Sequence, residues 1–387
     1  MSEAATLAES AVHSAERWTD RWAGWRDRVL ASPAFQRWAA RFPLTRPIAR
    51  RRARALFDLC AGFVYSQVLT ACVQLGVFEM LRPCPLPADV MANRLGLSPE
   101  AAARLIDAAV ALDLLDRRAG DRVGLGKLGA AMLGTPAVAA MVRHHALLYA
   151  DLRDPVALLR GTRSDTALSA YWPYAGGVAA NALTGAQVAA YSALMAATQP
   201  MIAGEVRESY RFARHRCLLD VGGGEGVFLS EIAAVAPHLR LMLFDLPPVA
   251  ARAATRFAGN GLAPRATTHG GSFLTDALPP GADIVSLVRV LHDHDDDAAR
   301  AILRAARAAL PNDGTLLLVE PMSGTAGAEP VGDAYFGFYL LAMGHGRPRT
   351  PAVLAAMLAE AGFAAPHLLP NASPMLTRIM VAKVSKL

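Results

Sequence analysis

Cysteine is scarce in this chain of 387 residues, which contains only Cys60, Cys72, Cys84 and Cys217. No two of them form a CxxC pair, and none has the Cys/His spacing of a metal site. The pattern excludes a disulfide framework and a zinc site, so we expect no bound metal. Unpaired thiols fit a reducing compartment, and we expect the protein to be cytoplasmic.

Long apolar runs are also missing. The most apolar stretch, residues 55–81, is interrupted by Asp58, Gln67, Gln74 and Glu79. No segment therefore reaches the ~18 uninterrupted apolar residues that a spanning helix needs. The N-terminus has early acidic residues and lacks the apolar core of a secretory signal. We expect a protein that is dissolved in the cytoplasm or lies peripherally on the inner membrane.

Lysine is nearly absent, with three residues in the chain, so positive charge comes almost entirely from arginine. The formal net charge of +6 is unevenly distributed. Residues 1–54 hold eleven arginines and five acids, whereas the remaining chain holds 28 bases and 28 acids. A basic arm thus precedes a body without net charge, and we expect no nucleic-acid partner.

The arm has the pattern of an amphipathic helix over residues 14–30. Trp18, Trp22, Trp25 and Val29 are spaced i, i+4, i+7 and i+11, and arginines occupy other positions. Tryptophan surrounded by arginine suits contact between residues 14–54 and an anionic membrane surface. The alternative is that the tryptophan face packs against the body or against a second subunit.

The rest of the chain divides into two predicted domains. Hydrophobic residues make up 53% of the sequence, which is enough for a sizeable core. Residues 55–200 have helical periodicity, whereas strands alternate with helices over 201–387, as in an α/β fold with a parallel sheet.

Residues 86–127 have the pattern of a winged helix within the first of these domains. Ser98 caps the second helix of a helix–turn–helix, and residues 121–127 form the expected wing strand. The second helix is rich in alanine, and Arg104 is its only early base. Because it lacks side chains that read base edges, the pattern favours a structural role over DNA binding.

A glycine-rich turn follows the first strand predicted in the α/β region. In CLLDVGGGEG, residues 217–226, a buried strand leads to Gly222, Gly224 and Gly226, and a helix is expected over 227–235. Such a turn lets a ligand approach the backbone and offers free N–H groups. Glu225 disfavours a pyrophosphate ligand through like charge, whereas a cationic sulfonium is compatible with it.

Polar residues end the strands that follow. Asp245 ends a strand over 239–244, and its distance from the glycine turn suits a ribose diol. Ser272 and Phe273 stand at the next strand end, His292 follows a strand over 283–288, and Glu320 ends a strand over 314–319. In a doubly wound sheet these strand ends converge on one crevice.

Five ordered motifs, LLDVGGGEG, FDLP, VLHDHDDD, LLLVEP and GHGRPRT followed by LAEAGF, resemble those of S-adenosylmethionine-dependent O-methyltransferases of the caffeate/acetylserotonin type. The resemblance implies a Rossmann-like α/β methyltransferase domain and a mainly helical N-terminal winged-helix dimerisation domain, hence a homodimer. Residues 46–69 and 337–350 further resemble the carotenoid 1-hydroxyl O-methyltransferases of the hydroxyneurosporene/demethylspheroidene type.

The resemblance also implies roles for the strand-end residues. The glycines would line the methionine end of S-adenosylmethionine, Asp245 would hold the ribose hydroxyls, and Ser272 and Phe273 would flank the adenosine. His292 corresponds to the general base and Glu320 to the acid that orients it. The full cofactor-binding set expected is Asp220, Gly222, Gly224, Gly226, Asp245, Leu246, Ser272, Phe273 and Arg289.

This chain departs from the family pattern at two positions. Pro348 stands where many members have the second acid that flanks the histidine. His294 stands where tryptophan is usual. The first departure removes one half of a two-acid arrangement around His292.

The implied reaction is methylation of the tertiary 1-hydroxyl of an acyclic carotenoid, with S-adenosylhomocysteine as co-product. A phenol, with a pKa near ~10, can lose its proton to histidine before attack, whereas a tertiary alcohol is far less acidic. We therefore expect His292 to take the proton as the C–O bond forms, with Glu320 stabilising the imidazolium.

Three alternatives remain at the level of the sequence. The acceptor could be an aromatic natural product or a bacteriochlorophyll-type tetrapyrrole, the chain could be a cofactor-sensing winged-helix regulator, or it could be a structural pseudo-enzyme. Apolar or aromatic candidates for the substrate pocket, some of which have the spacing of a core face, are Tyr149, Trp172, Met195, Phe336, Tyr339, Leu340 and Met343.

Overall fold

The computed structural model describes residues 18–172 and 185–385, with the backbone alone described over 185–191. The chain forms two compact units. One comprises residues up to 75 together with 87–123, and the other comprises 76–86 and the chain from 124 onwards. The division into 1–54, 55–200 and 201–387 stays a prediction.

The first unit begins with three helices. They are α1 (18–31), α2 (Pro33–Arg41) and α3 (Arg46–Gln74). Ser32 caps α2 by accepting a hydrogen bond from the Phe35 N–H at 3.4 Å. The helix expected over 14–30 is thus present from residue 18, while residues 14–17 lie outside the described part of the chain.

Among the described residues, α3 is the one helix long and apolar enough to cross a membrane by length and composition. Core helices of globular proteins meet the same two criteria. In α3, however, only 17% of the most apolar window is buried within the chain. Its exposed apolar residues include Phe57, Leu59 and Phe63, which are 63%, 82% and 70% exposed.

The helix–turn–helix expected from the sequence is present. The elements in this part of the chain are α4 (Val77–Leu81), β1 (Leu86–Pro87), α5 (Ala88–Leu95), α6 (Pro99–Ala111), β2 (Leu115–Arg118) and β3 (Arg122–Leu125). Gly96 ends α5 in the left-handed conformation, and the Ser98 hydroxyl accepts from the Ala101 N–H at 3.2 Å. The buried face of α6 consists of Ala102, Ile106 and Ala109, as a structural winged helix requires.

Besides α4, five described helices of the second unit precede its large sheet. They are α7 (Lys127–Gly134), α8 (Pro136–Asp151), α9 (Pro155–Leu159), α10 (Ala167–Tyr171) and α11 (Gly185–Ser209). The start of α10 is held to α8 because the buried Asp151 carboxylate accepts from the Ala167 and Leu168 N–H groups, each at 2.8 Å. This contact places the end of α10, with Trp172, beside α8.

The large sheet has seven strands in the order β6-β5-β4-β7-β8-β10-β9. The strands are β4 (Cys217–Val221), β5 (Arg240–Asp245), β6 (Ala266–Gly270), β7 (Ile284–Val288), β8 (Thr315–Glu320), β9 (Phe363–Leu369) and β10 (Arg378–Val384). The first five are parallel, and β10 pairs antiparallel with β8 and β9. Strands β4, β7 and β8 are buried throughout, which explains their continuous apolar runs.

Helices cover both faces of this sheet and form two cores. They include α12 (Val227–Val235), α13 (Pro247–Gly259), α14 (Asp296–Ala309) and α16 (Pro351–Glu360). A further helix, α15 (Phe336–Met343), packs in a separate buried cluster with α8, α9 and α10. From β4 the chain adds β5 and β6 on one side of the sheet, and it then crosses to add β7 and β8 on the other side. At such a switch point a crevice opens at the carboxyl ends of β4 and β7. The fold class expected from the sequence, a Rossmann-like methyltransferase domain after a helical winged-helix region, is confirmed.

Candidate active site

The glycine turn follows β4 directly and lies at the crevice. Gly222, Gly224 and Gly226 all have positive φ, at 69°, 58° and 75°. A Cβ on Gly222 would lie 2.8 Å from a methyl carbon of Val290, so only glycine lets these two segments meet. Gly222 and Gly224 line the cleft, whereas Gly226 lies behind the turn, where a Cβ would come within 2.6 Å of the Phe257 ring.

Asp220 lies beneath this turn, at the end of β4. The Ser286 hydroxyl donates to its Oδ1 at 2.6 Å, while Oδ2 has no hydrogen-bonding partner among the described residues. Burial raises the pKa of the Asp220 carboxyl to about 7. Buried polar atoms are nearly always hydrogen-bonded in folded proteins, so this oxygen is one that a ligand or water would satisfy.

Asp245 ends β5 and also lines the cleft. Its two carboxylate oxygens accept from the Gly224 N–H at 2.8 Å and the Leu246 N–H at 2.7 Å. Burial raises the pKa of this carboxyl to about 6. Each oxygen has a second lone pair, which leaves acceptor capacity for a diol.

Glu225 borders the cleft, but its charge is already compensated. Its carboxylate accepts from Arg252 at 2.8 Å and from Arg256 at 3.0 Å, both on α13. Glu225 therefore does not present a lone negative charge to a ligand. The expectation that its carboxylate disfavours a pyrophosphate through like charge is wrong for this reason.

Two aromatic rings line the part of the cleft that follows β6. Ser272 and Phe273 follow β6 and line it together with His294, whose ring meets the Phe273 ring edge-on at 5.3 Å. Burial lowers the pKa of His294 to about 4, so this ring is neutral. Histidine thus supplies a flat neutral ring at the position where family members usually carry tryptophan.

Arg289 fastens α11 over the cleft. It has a positive φ of 57°, and its backbone N–H donates to the Val319 carbonyl at 2.7 Å. Its guanidinium donates to the Thr198 hydroxyl at 2.8 Å and also contacts the Gln199 side chain. The α11 residues that line the cleft, Ser192, Met195, Ala196 and Gln199, were absent from the expected cofactor set.

His292 and Glu320 are brought together, as the motif resemblance implied. Nδ1 of His292 lies 2.6 Å from Oε2 of Glu320, and both side chains are buried. Oε1 of Glu320 also accepts from the backbone N–H groups of Val290 and Leu291, at 2.9 and 2.8 Å. One carboxylate therefore fixes both the turn that carries His292 and the orientation of its ring.

Asp293 is a site residue that sequence reasoning missed. Its Oδ1 lies 3.1 Å from Nε2 of His292, and its side chain lines the cleft. Burial raises the pKa of Asp293 to about 6. Burial alone lowers the pKa of His292, but the carboxylates of Asp293 and Glu320 outweigh it and hold that pKa above its ordinary value. His292 is therefore flanked by two carboxylates, those of Glu320 and Asp293, although Pro348 replaces the second acid of the family pattern.

The segment around Pro348 has a structural task instead. Arg349 is buried and donates to the carbonyls of Leu291 at 2.7 Å and His294 at 2.6 Å. Arg347 and Arg349 both bind Asp296, and a Cβ on Gly346 would lie 2.2 Å from the His292 carbonyl oxygen. The Gly-Arg-Pro-Arg segment therefore packs directly on the loop that carries His292.

The substrate-pocket candidates fall into two groups. Tyr339, Leu340 and Met343 belong to a buried cluster and are core residues in the structure. Trp172 belongs to the same cluster but also lines the cleft, as Met195 does. Tyr149 lies beside His145, with 6.3 Å between the ring centroids. Phe336 is partly exposed, and its ring meets the His292 ring edge-on at 5.8 Å.

The cleft as a whole fits S-adenosylmethionine. It is an open cleft whose lining includes Gly222, Gly224, Asp245 and Phe273. The glycine turn and the orphaned oxygen of Asp220 suit the amino-acid end, Asp245 the ribose hydroxyls, and Phe273 with His294 the adenine. Among the described residues, no cluster of metal-ligating side chains occurs.

Two family profiles match the chain. Residues 149–364 match the O-methyltransferase domain, and residues 57–134 match the O-methyltransferase dimerisation domain. The second match indicates that the protein is a homodimer.

Curated relatives and solved structures agree with these matches. The chain is 42% identical to demethylspheroidene O-methyltransferase of Cereibacter sphaeroides and 39% identical to that of Rhodobacter capsulatus. The alignments cover 92% of this chain and 93% and 88% of those proteins. The crystal structure of human N-acetylserotonin methyltransferase in complex with SAM has a TM-score of 0.72 at 24% identity, covers 87% of this chain and 98% of its own, and shares the fold. The chain therefore belongs to the S-adenosylmethionine-dependent O-methyltransferases.

Proposed function

We propose that the enzyme methylates the tertiary 1-hydroxyl of an acyclic carotenoid, the hydroxyneurosporene or demethylspheroidene type of acceptor, in carotenoid biosynthesis. The observation that carries this proposal is the identity of 42% and 39% to two demethylspheroidene O-methyltransferases over nearly the full chain. The Phe336 ring beside His292 also suits an apolar acceptor with one hydroxyl.

Bound S-adenosylmethionine supplies a methyl group already activated by the sulfonium charge, so the protein must align the acceptor oxygen and remove its proton. Glu320 accepts the Nδ1 proton of His292, which leaves Nε2 as the basic nitrogen. Nε2 takes the hydroxyl proton while the new C–O bond forms. Asp293, 3.1 Å from Nε2, stabilises the imidazolium that results.

The acceptor is tested by incubating the enzyme with labelled S-adenosylmethionine and four acceptors: a 1-hydroxylated acyclic carotenoid, the same carotenoid without the hydroxyl, a phenol and a tetrapyrrole. We expect the mass of one CH₂ to be added to the hydroxycarotenoid alone. Methylation of the phenol or the tetrapyrrole in its place would support the alternative acceptors.

The role of His292 is tested with His292→Ala. Turnover is expected to fall by a factor of about 10²–10⁴, while S-adenosylmethionine binding, measured by calorimetry, stays near the wild-type value. Turnover near that of the wild type would contradict the mechanism. Retention on DNA at low ionic strength, together with no turnover of any acceptor, would support a regulator instead.

We propose in addition that the arm lies on an anionic membrane surface. Trp18, Trp22 and Trp25 on α1 are 72%, 55% and 56% exposed, so much of each indole ring is open to a partner surface. Arginines 50–52 and 54 lie on the adjoining α3 and are exposed. Indole rings at headgroup depth and cations near anionic lipid would both favour such contact.

Sedimentation with vesicles of anionic lipid tests this second proposal. Trp22→Ala/Trp25→Ala and Arg51→Gln/Arg52→Gln are both expected to reduce sedimentation with anionic vesicles. Salt should weaken the wild-type interaction, because it screens the attraction between arginine and anionic lipid. Leu376→Ala, which removes an exposed apolar residue elsewhere, is the control. Equal sedimentation of all variants would overturn the proposal, and a change of oligomeric state would assign the surface to a second copy.

A further inference from the structure

The ring of His292 is held on a third side by an aromatic residue. Phe336 meets it edge-on, at 5.8 Å between ring centroids and 83° between planes. Glu320 is bonded to Nδ1 of the ring at 2.6 Å, and Asp293 lies 3.1 Å from Nε2. The edge-on contact with Phe336 adds a favourable aromatic interaction that neither acid supplies.

The backbone places Phe336 there by an unusual turn. Residues Pro330–Tyr335 form one turn of π-helix, and α15 starts at Phe336. Gly332 lets this turn lie against the chain beyond β8, because a Cβ there would be 2.6 Å from the Met322 carbonyl oxygen. Asp333 accepts from the Gly324 N–H at 3.1 Å on the same side.

The other side of the turn is tied to α8 by two hydrogen bonds between histidine and tyrosine. His145 Nε2 lies 2.8 Å from the Tyr335 hydroxyl, and His144 Nε2 lies 2.7 Å from the Tyr339 hydroxyl. Trp172 donates a further hydrogen bond to the Tyr339 hydroxyl at 3.3 Å. These two tyrosines flank Phe336 in sequence and contact its ring, at 5.2 and 6.5 Å.

Both histidines in these pairs are neutral. Burial lowers the pKa of His145, and burial together with His145 lowers that of His144 to about 4. Burial also raises the pKa values of Tyr335 and Tyr339. The two bonds therefore brace α15 without placing a cation near His292, where it would oppose the imidazolium.

We propose that Phe336 is a positioning residue for His292, and that the His145–Tyr335 and His144–Tyr339 hydrogen bonds hold it in place. The proposal rests on the proposed role of His292. It assigns a task to His144 and His145, for which the sequence alone offered none, and it connects α8 with a histidine about 150 residues further along the chain.

The first test compares Phe336→Leu with Phe338→Leu, a change of the same kind on the solvent side of α15, where Phe338 is 37% exposed. We expect Phe336→Leu to lower kcat about tenfold or more, since small misplacements of a catalytic group are costly, with KM for S-adenosylmethionine unchanged. Phe338→Leu should change neither value. Equal kcat for Phe336→Leu and wild type overturns the proposal.

The second test needs no acceptor, so it separates this proposal from the proposed function. The Nδ1 proton of His292, buried and bonded to Glu320, is expected to give a slowly exchanging downfield NMR resonance in the wild type with cofactor bound. Phe336→Leu should accelerate its exchange with water, and Phe338→Leu should not. Unchanged exchange in Phe336→Leu overturns the proposal even if the acceptor is another molecule.

A double-mutant cycle tests the bracing. Tyr335→Phe removes one hydroxyl and keeps the ring. It is expected to lower kcat by a few-fold in the wild-type background but not in the Phe336→Leu background. The reason is that both substitutions act through the same contact between Phe336 and His292. Additive effects would show that Tyr335 acts independently of Phe336 and would overturn this part of the proposal.

Discussion

Oδ1 of Asp293 lies 3.1 Å from Nε2 of His292, on the side opposite the Glu320 carboxylate. The two neighbours in sequence are therefore partners in the site, and His292 is flanked by acids at both nitrogens. Pro348 occupies the family position of the second acid. In this chain the second carboxylate comes from Asp293, the residue that follows His292.

Asp293→Asn is predicted to lower kcat and to move its pH dependence. Asp293 holds the pKa of His292 up, so its neutralisation lowers that pKa, and the histidine becomes unprotonated at a lower pH. The rising limb of kcat against pH should therefore shift towards acid. Asp297→Asn, at an exposed position in the first turn of α14, is the control and should leave the limb in place.

Glu320→Gln is predicted to damage both activity and stability. The carboxylate accepts from three backbone N–H groups and from the His292 ring. In glutamine one of the two oxygens is replaced by an NH₂ group, which would face some of these N–H groups and could not accept from them. We expect kcat to fall by about 10²–10⁴-fold and the free energy of unfolding by about 1–3 kcal/mol. A variant with normal kcat would contradict the orienting role of Glu320.

Asp220→Asn is predicted to flatten the pH dependence of stability in the absence of cofactor. The pKa of Asp220 is raised to about 7 from its ordinary 3.8, so its contribution to stability is present below pH 3.8 and is lost as the pH rises through 7. Melting temperatures at pH 5.5 and 8 should differ less in the variant than in the wild type. An equal difference would show that Asp220 is ionised at both values.

Asp283→Asn is predicted to reduce stability but not turnover. At the amino end of β7, away from the cleft, its carboxylate accepts from the Arg216 and Cys217 N–H groups at 2.9 and 2.7 Å and lies 3.0 Å from His215 Nδ1. Burial alone would raise its pKa, but these hydrogen bonds lower it, so its contribution is present above pH 3.8 and is lost at more acid values.

Denaturant unfolding of Asp283→Asn at pH 7 should show a loss of about 1–3 kcal/mol, which shrinks below pH 4. Turnover at 20 °C should match the wild type. Because Glu320→Gln is expected to lose a similar amount of stability, Asp283→Asn also serves as its control. Loss of turnover in Asp283→Asn would mean that the two effects are not separable.

The sequence predicted strands β4 to β8 and the cofactor turn closely, whereas the antiparallel strands β9 and β10 were not predicted. Strands β4, β7 and β8 were identified from apolar runs, because strands buried on both faces of a parallel sheet contain few polar residues. Gly222, Asp245 and Ser272 were placed at strand ends, and the topology of a doubly wound sheet then requires them to share one crevice. Both His292 and Glu320 lie at such ends.

The residues of α11 show why other parts could not be predicted. Ser192, Met195, Ala196 and Gln199 line the cleft with the spacing i, i+3, i+4 and i+7. That spacing is typical of any helix face that packs on a core. Only the arrangement of α11 over the strand ends, fastened by Arg289, assigns this face to the cleft.

The sequence by itself determined the alternation of strands and helices as far as β8, the glycine turn, and the placing of His292 and Glu320 at strand ends, because these follow from local periodicity and chain direction. The tertiary structure decided the partners of each charge. Glu225 is paired with two arginines, Asp293 lies against His292, and His144 and His145 bind tyrosines some 190 residues away. Such pairings depend on which side chains packing brings within about 3 Å, and no pattern along the chain records that distance.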